Sequence, residues 1–238
     1  MQHVNALGQP IGSPLPDWQA RSRPPRAAME GRFCRLEPLD VEAHAASLFA
    51  ANGEDEDGRN WTYLSVGPFA RFEDYRAWAE DAARGEDPLF HAIIDRRSGR
   101  AVGVASYMRI EPKIGVIEVG HLNFSPLLQR NPAATDAMYQ MMRRAFDELG
   151  YRRYEWKCDA LNEPSRAAAL RLGFRFEGIF RQATVYKGRS RDTAWFSILD
   201  REWPERKAAF ESWLSPDNFD ERGRQRLSLS SLTDEARR

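Results

Sequence analysis

The chain reads as an α/β protein in which helices cover a mixed sheet. Strand-like and helix-like runs alternate along its length. The apolar runs LFHAIID (89–95) and AVGVASYM (101–108), joined by RRSGR, form a hairpin with a slightly long turn. Ala134, Ala137, Met138, Met141, Met142, Ala145, Phe146 and Leu149 recur at helical spacing and give an amphipathic helix that covers a sheet face.

The elements follow in order. Residues 1–30 hold Pro10, Pro14, Pro16, Pro24 and Pro25 among Gly and Ser, the composition of an arm that is disordered or packs on the surface. Phe33 to Glu37 opens as a strand, and Asp40 starts a helix whose apolar side is Ala43, Ala46, Leu48, Phe49 and Ala50. EDEDGRN (54–60) breaks it. Helical spacing resumes at Phe72, Tyr75, Trp78 and Ala82, and Gly85 with Asp87-Pro88 ends that element. After the hairpin, GVIEVGHLNF (115–124) is extended, and Gly120 within it permits a bulge or a close approach of ligand to backbone. The amphipathic helix stops at Gly150.

YRRYEWKCD (151–159) alternates, with Tyr154, Trp156 and Cys158 on one face and Arg153, Glu155 and Lys157 on the other. The strand feeds a compact helix that Asn162 caps, Pro164 opens and Gly173 ends. FRFEGIFRQATVY and RDTAWFSILDREW are two further strands separated near KGRSR. Beyond Trp203, residues 204–238 comprise a helix docked through Phe210, Trp213 and Leu214, then a polar segment from 217 expected to be a loose tail or partner-dependent.

With 238 residues, 42% of them hydrophobic, the chain can build one substantial core. Its 35 basic and 35 acidic residues cancel, so there is no general attraction to nucleic acid or to an anionic membrane. No apolar run approaches the roughly 20 residues that cross a bilayer, and no secretory leader is evident. Two cysteines, Cys34 and Cys158, suit reduced thiols in a cytoplasmic protein. Four scattered histidines make no metal site.

Three joined stretches carry a family resemblance: IEVGHLNFSPLLQRNPAATDAM, AFDELGYRRYEWKCDALNEPSRAAALRLGFRFEG and GRSRDTAWFSILDREW. In these motifs, and in their order, the chain resembles the Gcn5-related N-acetyltransferases, closest in style to the ribosomal-protein-alanine branch. The resemblance spans residues 31–203. It implies a strongly curved mixed sheet with two central parallel strands, 115–124 and 153–159, splayed apart. It also implies acetyl-CoA as co-substrate in that gap, with its pantetheine on Leu122, Asn123 and Phe124 and its diphosphate at the next helix start. There the family shows Gln or Arg, two variable residues, Gly, one variable residue, then Gly or Ala. This chain reads Gln129, Arg130, Asn131, Pro132, Ala133, Ala134. Proline cannot donate in place of that glycine, and Arg130 is expected to compensate through its guanidinium.

The resemblance also supplies the chemistry, which is direct transfer of acetyl to a primary amine. Glu118 is the first choice for the group that takes the amine proton, or else a solvent-facing strand glutamate. His121 is the competing base, because imidazole titrates near neutrality. The family's spacing of Cys, three residues, Asn, two residues, Ser maps to Cys158, Asn162 and Ser165. It gives Asn162 the junction or the cofactor arm, and Ser165 the protonation of departing sulfur. Ordinary capping is the other account of both. Cys158 is expected to be buried packing, not a nucleophile. Trp61, Tyr63 and Phe69 are candidates for framing the acceptor, or for aromatic core. Arg191 and Asp192 either shape the late-strand edge or form a surface ion pair.

The acceptor implied is a protein N-terminus, an amino acid or an aminoacyl compound, taken by a monomer or homodimer. The alternative is a noncatalytic acyl-CoA-binding regulatory module.

Overall fold

The structure is a computed structural model and describes residues 3–235. A small hairpin, β1 (His3–Val4) with β2 (Pro10–Ile11), begins the chain. The rest of the arm lies on the body. Trp18 Nε1 donates to the Lys113 carbonyl at 2.8 Å, and Arg26 donates to the Ala83 and Arg84 carbonyls at the end of the second helix. Proline-fixed backbone and these long-range bonds hold an arm that composition alone marks as loose.

The elements that follow are β3 (Met29–Glu30), β4 (Cys34–Pro38), α1 (Val41–Asn52), α2 (Phe72–Arg84), β5 (Leu89–Asp95), β6 (Ala101–Glu111) and β7 (Val116–Phe124). Next come α3 (Pro132–Arg143), β8 (Arg153–Asp159), α4 (Glu163–Arg171), β9 (Arg175–Tyr186), β10 (Arg189–Leu199), α5 (Trp203–Leu214) and α6 (Leu229–Glu235). Asp40 caps α1 by accepting from the Ala43 amide. The methionine-bearing helix is shorter than its periodicity suggests, because a π-helical segment, Arg144–Glu148, follows α3. Arg144, turned inward there, donates to the Ala27 and Ala28 carbonyls at 2.6 and 2.8 Å and ties the arm to the core.

Eight strands form one sheet in the order β3-β4-β5-β6-β7-β8-β10-β9. Among the described residues, only β7 and β8 run parallel. The sheet is mixed with flanking helices, but the strong curvature implied by the family resemblance is corrected. It is an open sheet with free edges at β3 and β9, and its irregularities are local shifts of register in three strand pairs.

Alternation along the central strands feeds two apolar layers. On β5, Leu89 and Ile93 enter the layer built with α3 and α5, while Phe90 and Ala92 enter the layer under α1 and α2. The polar segment expected to be a loose tail folds back instead. Asn218 Nδ2 donates to the Trp213 carbonyl at 2.9 Å, and Leu229 of α6 is fully buried.

Candidate active site

The parallel ladder between β7 and β8 runs from Val116 opposite Arg153 to Val119 opposite Trp156, and stops there. Residues 120–124 of β7 and 157–159 of β8 continue without pairing to each other. On its other side β7 stays bonded to β6, with Gly120 opposite Ser106 and Asn123 opposite Val104. One residue of β6 thus faces two of β7, a bulge at His121 and Leu122. His121 carries it with a left-handed φ of 49°. Gly120 just before it lets the Met108 side chain lie close against the backbone, and the Ser106 hydroxyl fixes the Gly120 carbonyl at 3.0 Å. The bulge thus falls one residue past the glycine that suggests it.

Beside this break lies a cleft of about 550 Å³. It gathers Glu118, His121 and Leu122 from β7, Lys157 and Cys158 from β8, and Asn162 and Ser165 from α4. Tyr63 closes one side, and its hydroxyl donates to the Leu161 carbonyl at 3.1 Å. Trp61 and Phe69 do not line this cleft. They pack edge-to-face at 5.4 Å in the aromatic layer under α1 and α2.

Glu118 is buried on the cleft floor and fully engaged. Arg109 Nη1 donates to both its oxygens at 2.7 Å, and Lys157 Nζ lies 2.8 Å from Oε2. Lys157 also meets Glu155 at 2.7 Å, and Glu155 meets Arg153 at 2.6 Å. The result is a chain of alternating charges across three strands, each paired as buried ions require. His121 sits against the Phe90 ring at 5.2 Å. Burial, then the charge of Arg109, pushes its pKa below the usual histidine value. At neutral pH the imidazole is therefore uncharged and able to accept a proton.

Asn162 caps α4 through the Ser165 amide, accepted at 3.1 Å. The Ser165 hydroxyl receives the Trp156 indole N–H at 3.0 Å. Burial raises the Cys158 pKa, which keeps it a neutral thiol.

The residues marked for the co-substrate occupy the open half of β7 and the start of α3. Asn123 is 3% exposed, and its Nδ2 finds no partner among the described residues. Gln129 Nε2 bonds Asn60 Oδ1 at 2.6 Å and the Phe124 carbonyl at 2.9 Å, bracing the loop. Arg130 is exposed with φ 56°. Asn131 caps α3 by accepting from the Ala133 amide at 3.0 Å, Pro132 takes the first helical turn, and Ala133 and Ala134 follow on the packed side. Ala133 and Pro132 thus offer a phosphate no free amide, and Arg130 is the exposed donor beside them. An unpaired strand edge, an orphaned amide side chain and an exposed guanidinium at a helix start fit a thioester carrier with a diphosphate.

Lys157 and Arg109 were missed by motif reading. The alternation of Glu155 with Lys157 was the signal for Lys157, whereas Arg109 reaches Glu118 from a β6 position that has no pattern of its own.

A strand pair open over half its length, with Glu118, His121 and Ser165 at the opening, is the arrangement that the resemblance implies for a CoA-dependent acyltransferase. The model of the acetyltransferase (GNAT) domain matches residues 34–175, and the chain belongs to the GNAT family. It is similar to a solved GCN5-related N-acetyltransferase from Brucella melitensis, at 49% identity and TM-score 0.90, covering 92% of this chain and 100% of that one. A probable GNAT-family acetyltransferase from Chromobacterium violaceum ATCC 12472 is 40% identical with TM-score 0.76, over 82% of this chain and 98% of that one. A Bacillus subtilis (strain 168) protein named "Putative ribosomal N-acetyltransferase YdaF" is 36% identical over 179 residues, 72% of this chain and 92% of its own. Acetyl-CoA is accordingly the acyl donor.

Proposed function

We propose that the protein acetylates a primary amine of α-amino type, as on a protein N-terminus, an amino acid or an aminoacyl compound. The observation that carries this reading is the convergence of His121, Glu118 and Ser165 on one cleft at the point where β7 and β8 cease to pair. Bound acetyl-CoA supplies the activated acetyl thioester. The amine nitrogen bonds to the acetyl carbon, the carbon–sulfur bond breaks, and His121 takes the amine proton. Glu118 keeps Arg109 and Lys157 in place beside the neutral amine. Ser165, aligned by Trp156, gives its proton to the departing sulfur and regains one from solvent. Backbone N–H groups of the bulged stretch offset the charge that builds on the acetyl oxygen.

The similarity to the Bacillus subtilis protein, whose printed name is ribosomal, supports a protein N-terminus among these acceptors. The test is a mass-resolved acetylation screen over peptides, free amino acids, polyamines and aminoacyl nucleotides. An N-acetyl product matched by one free CoA is expected. Tight acetyl-CoA binding with no product on any amine would instead make the chain a noncatalytic acyl-CoA-binding module.

A further inference from the structure

Three cations, Arg109, Lys157 and Arg191, line the cleft against two carboxylates, Glu118 and Asp159. Glu118 already satisfies Arg109 and Lys157. Asp159 accepts the Tyr186 hydroxyl at 2.9 Å and the Leu161 amide at 2.8 Å. Arg191 is left over. Among the described residues no carboxylate pairs with it, and the Tyr186 ring lies 6.0 Å away. Its Nε is shut off from solvent and meets no acceptor. Asp192, its partner in the surface ion pair that is one of the two sequence readings, instead accepts the Gln182 amide at 2.7 Å.

The same wall carries a second orphan. Arg191, Thr193 and Trp195 alternate along β10 and so share a face, and all three border the cleft. Trp195 Nε1 is likewise buried without an acceptor. Buried donors normally find partners, and a guanidinium most of all, because an unmet charge-assisted bond costs more than a neutral one. Two orphans on one wall, both of them donors, fit a ligand that accepts. His121, which takes the amine proton in the transfer reading above, borders the same cleft.

We propose that Arg191 binds a carboxylate of the acceptor, so that the amine acetylated belongs to a free amino acid or to a peptide whose first residue is acidic. This rests on the transfer reading above and narrows it. Trp195 Nε1 adds a neutral donor along the same wall, directed at a carbonyl or hydroxyl oxygen of the same molecule.

The experiment compares kcat/KM for matched acceptors in wild type, Arg191→Gln and Arg191→Lys. Glutamate against its α-amide reads an α-carboxylate, and Asp-Ala-Ala amide against Asn-Ala-Ala amide reads a side-chain carboxylate. Wild type should prefer the acid member of one pair by about 10-fold or more. Arg191→Gln should bring that ratio close to one through the acceptor KM, and Arg191→Lys should restore part of it. An unchanged ratio in Arg191→Gln overturns the proposal, as does an effect confined to the acetyl-CoA KM. If wild type acetylates nothing, calorimetry with N-acetylglutamate and a neutral N-acetylglutamine amide control still decides. Acid-selective binding lost in Arg191→Gln keeps the Arg191 site and removes the transfer reading. Equal or absent binding in both proteins removes the site.

Discussion

Lys157 Nζ stands 2.8 Å from Glu118 Oε2 and joins two adjacent strands through a buried ion pair. Glu118 and Glu155 are directly opposite in the parallel register, and Lys157 lies 2.7 Å from Glu155 as well. One ammonium thus separates two carboxylates one step before the last pair of the ladder, Val119 opposite Trp156. Lys157→Met should leave those carboxylates facing each other and lower the unfolding free energy by about 3–5 kcal/mol. Urea unfolding measures it, and the loss should shrink at acidic pH, where one carboxylate can take up a proton.

The base assignment is checked by two variants. His121→Gln should lower kcat by about 10²–10⁴-fold and remove the acid limb of the pH profile. Glu118→Gln should keep that limb, because the titrating imidazole is still present. The limb itself should lie below pH 6.5, since burial and then Arg109 depress the His121 pKa and the base must be unprotonated to act. Retention of the limb in His121→Gln with its loss in Glu118→Gln would transfer the role to the carboxylate.

A different histidine sets acid stability. His91 is fully buried on β5, packs edge-on to Tyr107 at 5.8 Å, and has its pKa lowered to about 4, first by burial and then by Arg144. The unfolded chain binds this proton from about pH 6.5 downward and the folded chain resists until about 4. Stability from this group is therefore complete above 6.5 and is lost as pH falls through that window, by about 3 kcal/mol. His91→Phe should flatten the dependence in thermal melts between pH 4 and 7.

Arg130 is the exposed cation at the start of α3, where Pro132 and Asn131 have removed two amides from service. Arg130→Ala should weaken acetyl-CoA binding by about 10-fold, the scale of a charge-assisted hydrogen bond. Calorimetry with acetyl-CoA and with dephospho-acetyl-CoA measures it, and an unchanged affinity would leave the diphosphate to other donors.

Local rules read most of this molecule in advance. Asp40 and Asn162 announce helix starts because a side-chain oxygen three residues before an amide is a purely local geometry. The face shared by Glu155 and Lys157 follows from a period of two, and so does the burial of Cys158 on the other face. Tertiary partners were not legible. The arm is held by Trp18 and Arg26 on carbonyls far along the chain, and α6 is held by a core it enters through Leu229. The π-helical segment after α3 interrupts a periodicity that, in sequence, continues to Leu149. Trp61 and Tyr63 show the same limit within one stretch, since two residues apart they serve an aromatic layer and the cleft respectively.

In the proposed mechanism, backbone in the open half of the β7–β8 gap is the seat of the acyl donor. Hydrogen exchange on the full chain with and without acetyl-CoA tests this most directly. Slowed exchange concentrated at residues 120–124 and 157–159 is the result expected of a thioester arm bonded to those strands. Saturating acetyl-CoA that leaves those amides exchanging at their free rate, while protecting some other surface, would contradict it.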